Sequence, residues 1–309
     1  MTFALVFPGQ GSQSLGMMKG FADDAAVRQT FDEASGALGQ DLWAMCQDGA
    51  DAAVINATVN TQPLMLTAGV AIFRAWQTAG GALPAVAAGH SLGEYTALAA
   101  AGSIAFADAV KLVRLRAEAM QSAVPEGQGA MAAILGLDDA VIVASCAEAA
   151  QGEVVEAVNF NSQGQVVIAG SKAAVERAMA ICKEKGAKRA LPLPVSVPSH
   201  CALMKPAAEK LAAALADIAV AAPAFPVLHN ADVAAYSDPA RIKDALVRQL
   251  YQPVRWVETA QKMAADGATV MAECGPGKVL VGLNKRIAAE AQHFALTDLA
   301  SFDALKAAL

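Results

Sequence analysis

Charge is scarce in this chain. Only 17% of its residues are Asp, Glu, Lys or Arg, and 23 Lys and Arg against 29 Asp and Glu leave a formal net charge of -6. No long basic run is available to neutralise phosphates, so no nucleic acid is expected as a partner. Long apolar runs are missing too. Thr96 to Val110 is broken by Gly102, Ser103 and Asp108, and Leu211 to Phe225 by Asp217 and Pro223; neither offers the ~20 apolar residues a membrane span needs. The stretch Met1 to Phe7 has no basic n-region and no long h-region, so it reads as a buried strand, not a signal peptide. No membrane is expected, and a cytoplasmic location follows. The five cysteines (46, 146, 182, 201 and 274) are odd in number and form no C-x-x-C pair, which predicts free thiols in a reducing compartment and no metal site.

Apolar residues are plentiful: 55% of the 309 are hydrophobic, largely alanine. A chain of that length buries about 75% of its extended surface, so a compact core follows, in one large domain or two smaller ones. A peptide hormone, a zinc module and a coiled coil are excluded. Strand-like runs at Phe3 to Phe7 and Ala85 to Ala88, each followed by helical patterns (Glu94 to Ala101, Ala105 to Ser122), argue for an α/β fold with a parallel sheet.

The rhythm changes between Pro125 and Pro194. Strand (Ala130 to Leu137), helix (Asp138 to Ala149), strands (Val154 to Asn159, Gln165 to Ala169), helix (Lys172 to Lys185) and strand (Arg189 to Leu193) give the β-α-β-β-α-β order of a ferredoxin-like unit. The chain then returns to α/β: a helix at Pro206 to Ile218, a strand near Val227, a helix at Pro239 to Leu250, a strand at Thr269 to Glu273 and a helix after Gly277. The expectation is a discontinuous large α/β domain, 1–124 and 196–309, carrying an inserted ferredoxin-like subdomain, 125–195. A cleft between the two is the expected ligand site.

The strongest local motif is Gly89-His90-Ser91-Leu92-Gly93, between a strand and a helix. That is the setting of a G-x-S-x-G nucleophile elbow: small residues permit the sharp turn, the turn thrusts out the serine hydroxyl, and the helix N-terminus favours developing negative charge. The plain alternative is a glycine-flanked turn with an N-capping serine. A nucleophilic serine needs a base, and there are four histidines. His90 adjoins the serine on a tight turn and reads as support for it; His293, in a polar stretch, reads as a surface residue. His200, where the inserted unit rejoins the main domain, and His229, after Val227-Leu228, both stay open on spacing alone. Cys201 is a further thiol nucleophile in principle, but Ser91 makes it unnecessary.

Gly9-Gln10-Gly11-Ser12-Gln13 follows the first strand. It is not G-x-G-x-x-G, since Ser14 stands at the third glycine position, and it is not a Walker A loop. Either a tight turn or a set of backbone N–H groups facing an oxyanion fits it. Gly275-Pro276-Gly277-Lys278 reads first as a helix-start turn. Arg114 and Arg116 lie close to the apolar arc formed by Leu112, Leu115, Ala119 and Met120. An arginine there either snorkels to solvent or, in a cleft, offers a bidentate fork to a carboxylate.

Taken together these motifs resemble the malonyl-CoA:acyl carrier protein transacylases of bacterial type II fatty acid synthesis. The resemblance runs in order through Phe7-Pro8-Gly9-Gln10-Gly11-Ser12-Gln13, Gly89-His90-Ser91-Leu92-Gly93-Glu94-Tyr95, Pro198-Ser199-His200, Arg248-Gln249-Leu250 and Gly275-Pro276-Gly277-Lys278, and spans essentially the whole chain. It implies a hydrolase-like α/β core with a ferredoxin-like insert. It implies Ser91 as acyl-accepting nucleophile, His200 as general base and acid, and the backbone N–H groups of Gln10 and Leu92 as oxyanion hole. Arg116, with Met120 in an Arg-x-x-x-Met pattern, would bind the malonyl carboxylate, and the Gln249 carbonyl would orient His200. His229 matches no histidine the family needs.

The implied reaction is ping-pong transfer of malonyl from malonyl-CoA, through Ser91, to the phosphopantetheine thiol of acyl carrier protein, with no metal or other cofactor. An esterase or thioesterase, and a non-catalytic carrier-binding scaffold, are the competing readings. Lys183, Lys185, Lys188 and Arg189, and Lys278, Lys285 and Arg286, form two basic clusters, read either as solvated faces or as docking surface for an acidic carrier. Nothing in the sequence demands an oligomer, so a monomer is expected. Selectivity between malonyl and methylmalonyl rests on the pocket around Ser199 and Met120, which the sequence leaves open.

Overall fold

In the computed structural model, which describes residues 2–195 and 197–309, the described residues form nine strands: β1 (Thr2–Phe7), β2 (Val86–Gly89), β3 (Gly129–Leu135), β4 (Val155–Ser162), β5 (Gln165–Ser171), β6 (Arg189–Pro192), β7 (Val227–Leu228), β8 (Ala268–Cys274) and β9 (Gln292–Leu296). Residues 1 and 196, an end and an expected boundary of the large domain, lie outside the described residues.

Five of the strands make a parallel sheet in the order β7-β2-β1-β8-β9. β1 is central and, past Thr2, buried throughout; a parallel sheet covered on both faces requires such a continuous apolar run. Phe7 at its end is fully buried, worth roughly 1.5 to 3 kcal/mol relative to exposure. The helices Thr58–Thr78, Leu92–Ala100 and Phe106–Ala123 pack around this sheet and share its main core. The other four strands form an antiparallel sheet in the order β4-β5-β3-β6. The helices Asp139–Ala150 and Lys172–Glu184 cover it and give it a separate core, including Ile134, Ile142, Val166 and Ile168. That strand order with two helices is the ferredoxin-like arrangement.

The chain order explains where a site can form. β1 has β2 on one side and β8 on the other, so the strand order reverses there, and ligands in open α/β sheets gather beyond the carboxyl ends of strands at such a switch. The Gly9–Gln13 loop leaves β1, the Ser91 turn leaves β2, His229 follows β7 and the Gly275 loop leaves β8. All four emerge at that edge. The antiparallel sheet is stitched beside it: Phe160 N–H donates to the Val254 carbonyl (3.0 Å) and Val254 N–H to the Val158 carbonyl (2.8 Å).

Three elements were not expected: the helix Trp256–Ala265, β9 and the helix Leu299–Ala308. The last is opened by Asp298, whose side chain caps Ser301 N–H in a capping box, a short signal next to a weakly apolar strand. No helix among the described residues is long and apolar enough to cross a membrane. All five cysteines are unpaired and buried.

Candidate active site

Ser91 sits at the turn between β2 and the helix Leu92–Ala100 with φ 52° and ψ -109°, a conformation that costs on the order of 1 to 3 kcal/mol in a residue other than glycine. Its neighbours make the turn possible. A Cβ on Gly89 would lie 1.8 Å from the Gly93 carbonyl carbon, and one on Gly93 would lie 2.0 Å from the Phe7 oxygen. Ser91 is the helix N-cap, but its side chain makes no capping bond. The hydroxyl instead points to His200, with Oγ 2.7 Å from Nε2.

His200 is itself at positive φ (67°) and its N–H donates to the Leu250 carbonyl. Its Nδ1 lies 2.7 Å from the Gln249 carbonyl oxygen. A carbonyl only accepts, so Nδ1 carries the proton and Nε2 presents a lone pair to the serine hydroxyl. Burial is the main force holding the imidazole neutral and the Arg116 charge adds to it; against the pull of the Gln249 bond, they lower its pKa to about 3.

Arg116, on the helix Phe106–Ala123, is 1% exposed. Nη1 donates to Gln62 Oε1 (2.7 Å), and Nη2 to Gln249 Oε1 (3.1 Å) and Ser91 Oγ (3.3 Å), while the guanidinium carbon sits 5.1 Å over the Tyr95 ring. Among the described residues no carboxylate forms an ion pair with it. The Gln249 amide stands between it and Glu94. A buried charge without an ion-pair partner is costly unless an anion arrives.

These groups line a cavity of about 140 Å³ with Gln10, Leu92, Met120, Met131, Asn159 and Ser199. Met120 Sδ accepts from Gln62 Nε2 (3.7 Å). Gln10 lies at its exposed rim, its side chain donating to Thr58 Oγ1. Among the described residues neither Gln10 N–H nor Leu92 N–H has a protein acceptor, and Leu92 N–H begins a helix, where such groups are free.

The fold thus brings Ser91, His200, Arg116, Met120, Gln10 and Leu92 to one cavity, with Gln249 behind His200. His90 bridges to the ferredoxin-like sheet, Nε2 to Asn161 Oδ1 at 2.7 Å, and rests on Trp256. Cys201 is fully buried, its thiol donates to the Pro198 carbonyl, and burial pushes it up to about 12, so it is no nucleophile at neutral pH. His293 is half-buried, not a solvated surface residue: it lies on β9, an element the polar sequence did not announce, and its Nε2 meets the Ala288 carbonyl. Arg114 points away, to Gln40 and Asn60. In the basic clusters Lys185 pairs with Glu148, and Arg286 donates to Gln165.

Sequence reasoning missed Gln62, Glu94, Asn161 and Asn230. Glu94 and Asn230 had a signal, being three residues after the serine and next to His229. Gln62 lies inside the helix Thr58–Thr78 with none. Among the described residues no group of three or more His, Cys, Asp or Glu is arranged to hold a metal.

Residues 4–301 match the acyl transferase domain family. The chain is similar to the malonyl CoA-acyl carrier protein transacylase of Haemophilus influenzae, at 59% identity over 306 residues, 98% of either chain. It is similar to the acyl-carrier-protein S-malonyltransferase of Burkholderia pseudomallei, at 62% identity and TM-score 0.97, covering 99% of this chain and 100% of that one. A second structure, of a type II PKS acyl-carrier protein in complex with its malonyl-transacylase, matches at 55% identity and TM-score 0.96 over 98% of both chains.

Proposed function

This chain belongs to the acyl transferase family, and from that premise we propose that it transfers a malonyl group from malonyl-CoA to the phosphopantetheine thiol of an acyl carrier protein. The names of its relatives support the donor and the acceptor, and the complex of a similar protein with its carrier supports a protein partner. One observation carries the reading. A buried guanidinium that has no ion-pair partner among the described residues donates to the hydroxyl that faces an imidazole, so the acyl group this site is built for ends in an anion.

The chemistry follows from the atoms. Ser91 Oγ attacks the thioester carbonyl carbon while its proton passes to His200 Nε2. The carbonyl oxygen takes the negative charge and is held by the N–H groups of Gln10 and Leu92. The C–S bond breaks, and the leaving CoA sulfur takes the proton from Nε2. The carrier's thiol then enters, gives its proton to Nε2 and attacks the malonyl-serine ester. Oγ leaves and recovers that proton. Throughout, Arg116 holds the distal carboxylate and the Gln249 carbonyl keeps the imidazole in its base tautomer. None of these steps calls for a metal or redox cofactor. Residues 1–124 and 196–309 act as the catalytic body and 125–195 as the lobe that closes the cleft, in a cytoplasmic monomer.

The test is intact-mass analysis after incubation with malonyl-CoA alone. A malonyl adduct on Ser91 that is discharged on adding holo carrier protein is the expected result. Release of CoA without an adduct or an acceptor would make the protein a thioesterase; no release and no adduct would make it a scaffold.

A further inference from the structure

Behind the nucleophile lies a set of buried polar residues, two of which, Glu94 and His229, take no part in the transfer steps. Glu94, on the first turn of the helix after Ser91, is 0% exposed, and His229 beyond β7 is 1% exposed. Glu94 Oε1 lies 2.7 Å from His229 Nδ1, and a carboxylate oxygen can only accept, so Nδ1 donates. The other oxygen, Oε2, accepts from Asn230 N–H (2.8 Å) and from Gln249 Nε2 (3.0 Å).

Each of those two partners reaches on to the elbow. Asn230 Oδ1 accepts the Ser91 N–H (2.7 Å), and its Nδ2 donates to the Gly89 carbonyl (2.6 Å). Gln249 Nε2 also donates to the Ser91 carbonyl (2.8 Å), its Oε1 accepts from Arg116, and its backbone carbonyl holds His200. Both peptide groups of Ser91 are therefore gripped from one side, at φ 52°. Both grips end on one carboxylate, and the His229 ring, stacked on Tyr236 at 5.2 Å, holds that carboxylate from behind. A strained backbone persists only where its surroundings over-determine it, and a reacting atom misplaced by about 1 Å costs on the order of a hundredfold in rate.

We propose that Glu94 and His229 are positioning residues for the transfer reaction: acting through Asn230 and Gln249, their buried pair fixes the aim of Ser91 Oγ at His200 and its spacing from Arg116. This rests on the reading of Ser91 as the acyl acceptor. It gives His229, which sequence reasoning left without a task, a place one shell behind the nucleophile. Glu94→Ala removes the acceptor of all three bonds, whereas a glutamine could keep them by donating its amide nitrogen to His229 Nδ1 with the ring proton moved to Nε2, which has no partner among the described residues.

The experiment compares wild type, Glu94→Ala, His229→Ala and His229→Asn, whose amide nitrogen can take the place of the ring Nδ1. Two rates are read: steady-state transfer from malonyl-CoA to holo carrier protein, and sulfonylation of Ser91 by phenylmethylsulfonyl fluoride, followed by intact mass. The second reports nucleophile geometry whatever the natural acyl group, so wild type that is sulfonylated but moves no malonyl would refute the proposed substrate and leave the positioning role to be judged on sulfonylation.

Glu94→Ala and His229→Ala are expected to lower kcat about 30-fold or more, to leave KM for malonyl-CoA within about threefold, and to slow sulfonylation about tenfold; His229→Asn is expected to stay within about threefold of wild type. Should Glu94→Ala not fold, the two His229 variants decide, each checked by near-UV circular dichroism. A raised KM with unchanged kcat, sulfonylation at the wild-type rate, or His229→Asn falling as far as His229→Ala would overturn the proposal.

Discussion

Arg116 Nη2 lies 3.3 Å from Ser91 Oγ and donates to it. In the proposed reaction one of these groups would bind the distal carboxylate and the other would take the acyl carbon, so their direct contact sets the length of acyl chain that can span them.

Arg116→Ala separates recognition from chemistry. Malonyl transfer should lose on the order of 2 to 5 kcal/mol of transition-state stabilisation, whereas acetyl transfer, which brings no second carboxylate, should change by far less. The comparison is kcat/KM for malonyl-CoA and acetyl-CoA with the same carrier protein. Equal losses would remove Arg116 from carboxylate recognition.

The pH dependence follows from the same contact. His200 is pushed down from 6.5 to about 3, by burial first and by the Arg116 charge second. A base with a depressed pKa stays unprotonated as the pH falls, so the acid limb of kcat/KM, which reports free enzyme, should lie well below 6.5. A bound malonyl carboxylate offsets the guanidinium charge and raises the imidazole, so the acid limb of kcat should lie at higher pH than that of kcat/KM. Two coincident limbs near 6.5 would contradict both statements.

Glu273, at the end of β8, gives a stability signature of its own. Burial is the largest influence on its carboxyl and raises it from 4.5 to about 7, despite bonds from the N–H groups of Val279, Leu280 and Val281. The folded value exceeds the unfolded one, so the contribution is fully present below 4.5 and is lost as pH rises through about 7. That shift corresponds to roughly 3 kcal/mol. Glu273→Gln should flatten this fall, and urea unfolding between pH 4 and pH 8 measures it. Parallel curves for the two proteins would be the failing result.

Gly93 is fixed by contact, not by its dihedral angles, since an added methyl would press on the Phe7 carbonyl, a backbone atom of the central strand that cannot swing aside. Gly93→Ala should therefore cost about 1 to 3 kcal/mol of stability and displace Ser91, seen as a lower thermal midpoint together with slower adduct formation. An unchanged midpoint and adduct rate would show that the elbow has slack.

Much of this was legible in the chain because it is local. A serine between two glycines after an apolar strand, and the β-α-β-β-α-β rhythm of 125–195, are patterns of neighbours, and the two sheets follow them. What could not be read is what long-range folding brings together. Spacing left both His200 and His229 open; in the structure His200 donates its N–H to the Leu250 carbonyl and its ring Nδ1–H to that of Gln249, 49 residues on, while His229 is turned to Glu94. Gln62 reaches Arg116 across 54 residues, and no local periodicity encodes such a meeting. β9 escaped because its residues are only partly buried until Leu296, so it lacks the apolar run that announced β1.

The burial of all five thiols matters to an enzyme whose acceptor arm itself ends in sulfur. A pantetheine tip can enter and leave the cleft without meeting a protein sulfur able to trap it as a mixed disulfide. Cys201, next in sequence to His200, is sealed under the Pro198 carbonyl. Oxidants and alkylating agents that disable thiol-dependent acyl carriers would therefore spare the oxygen nucleophile that loads them.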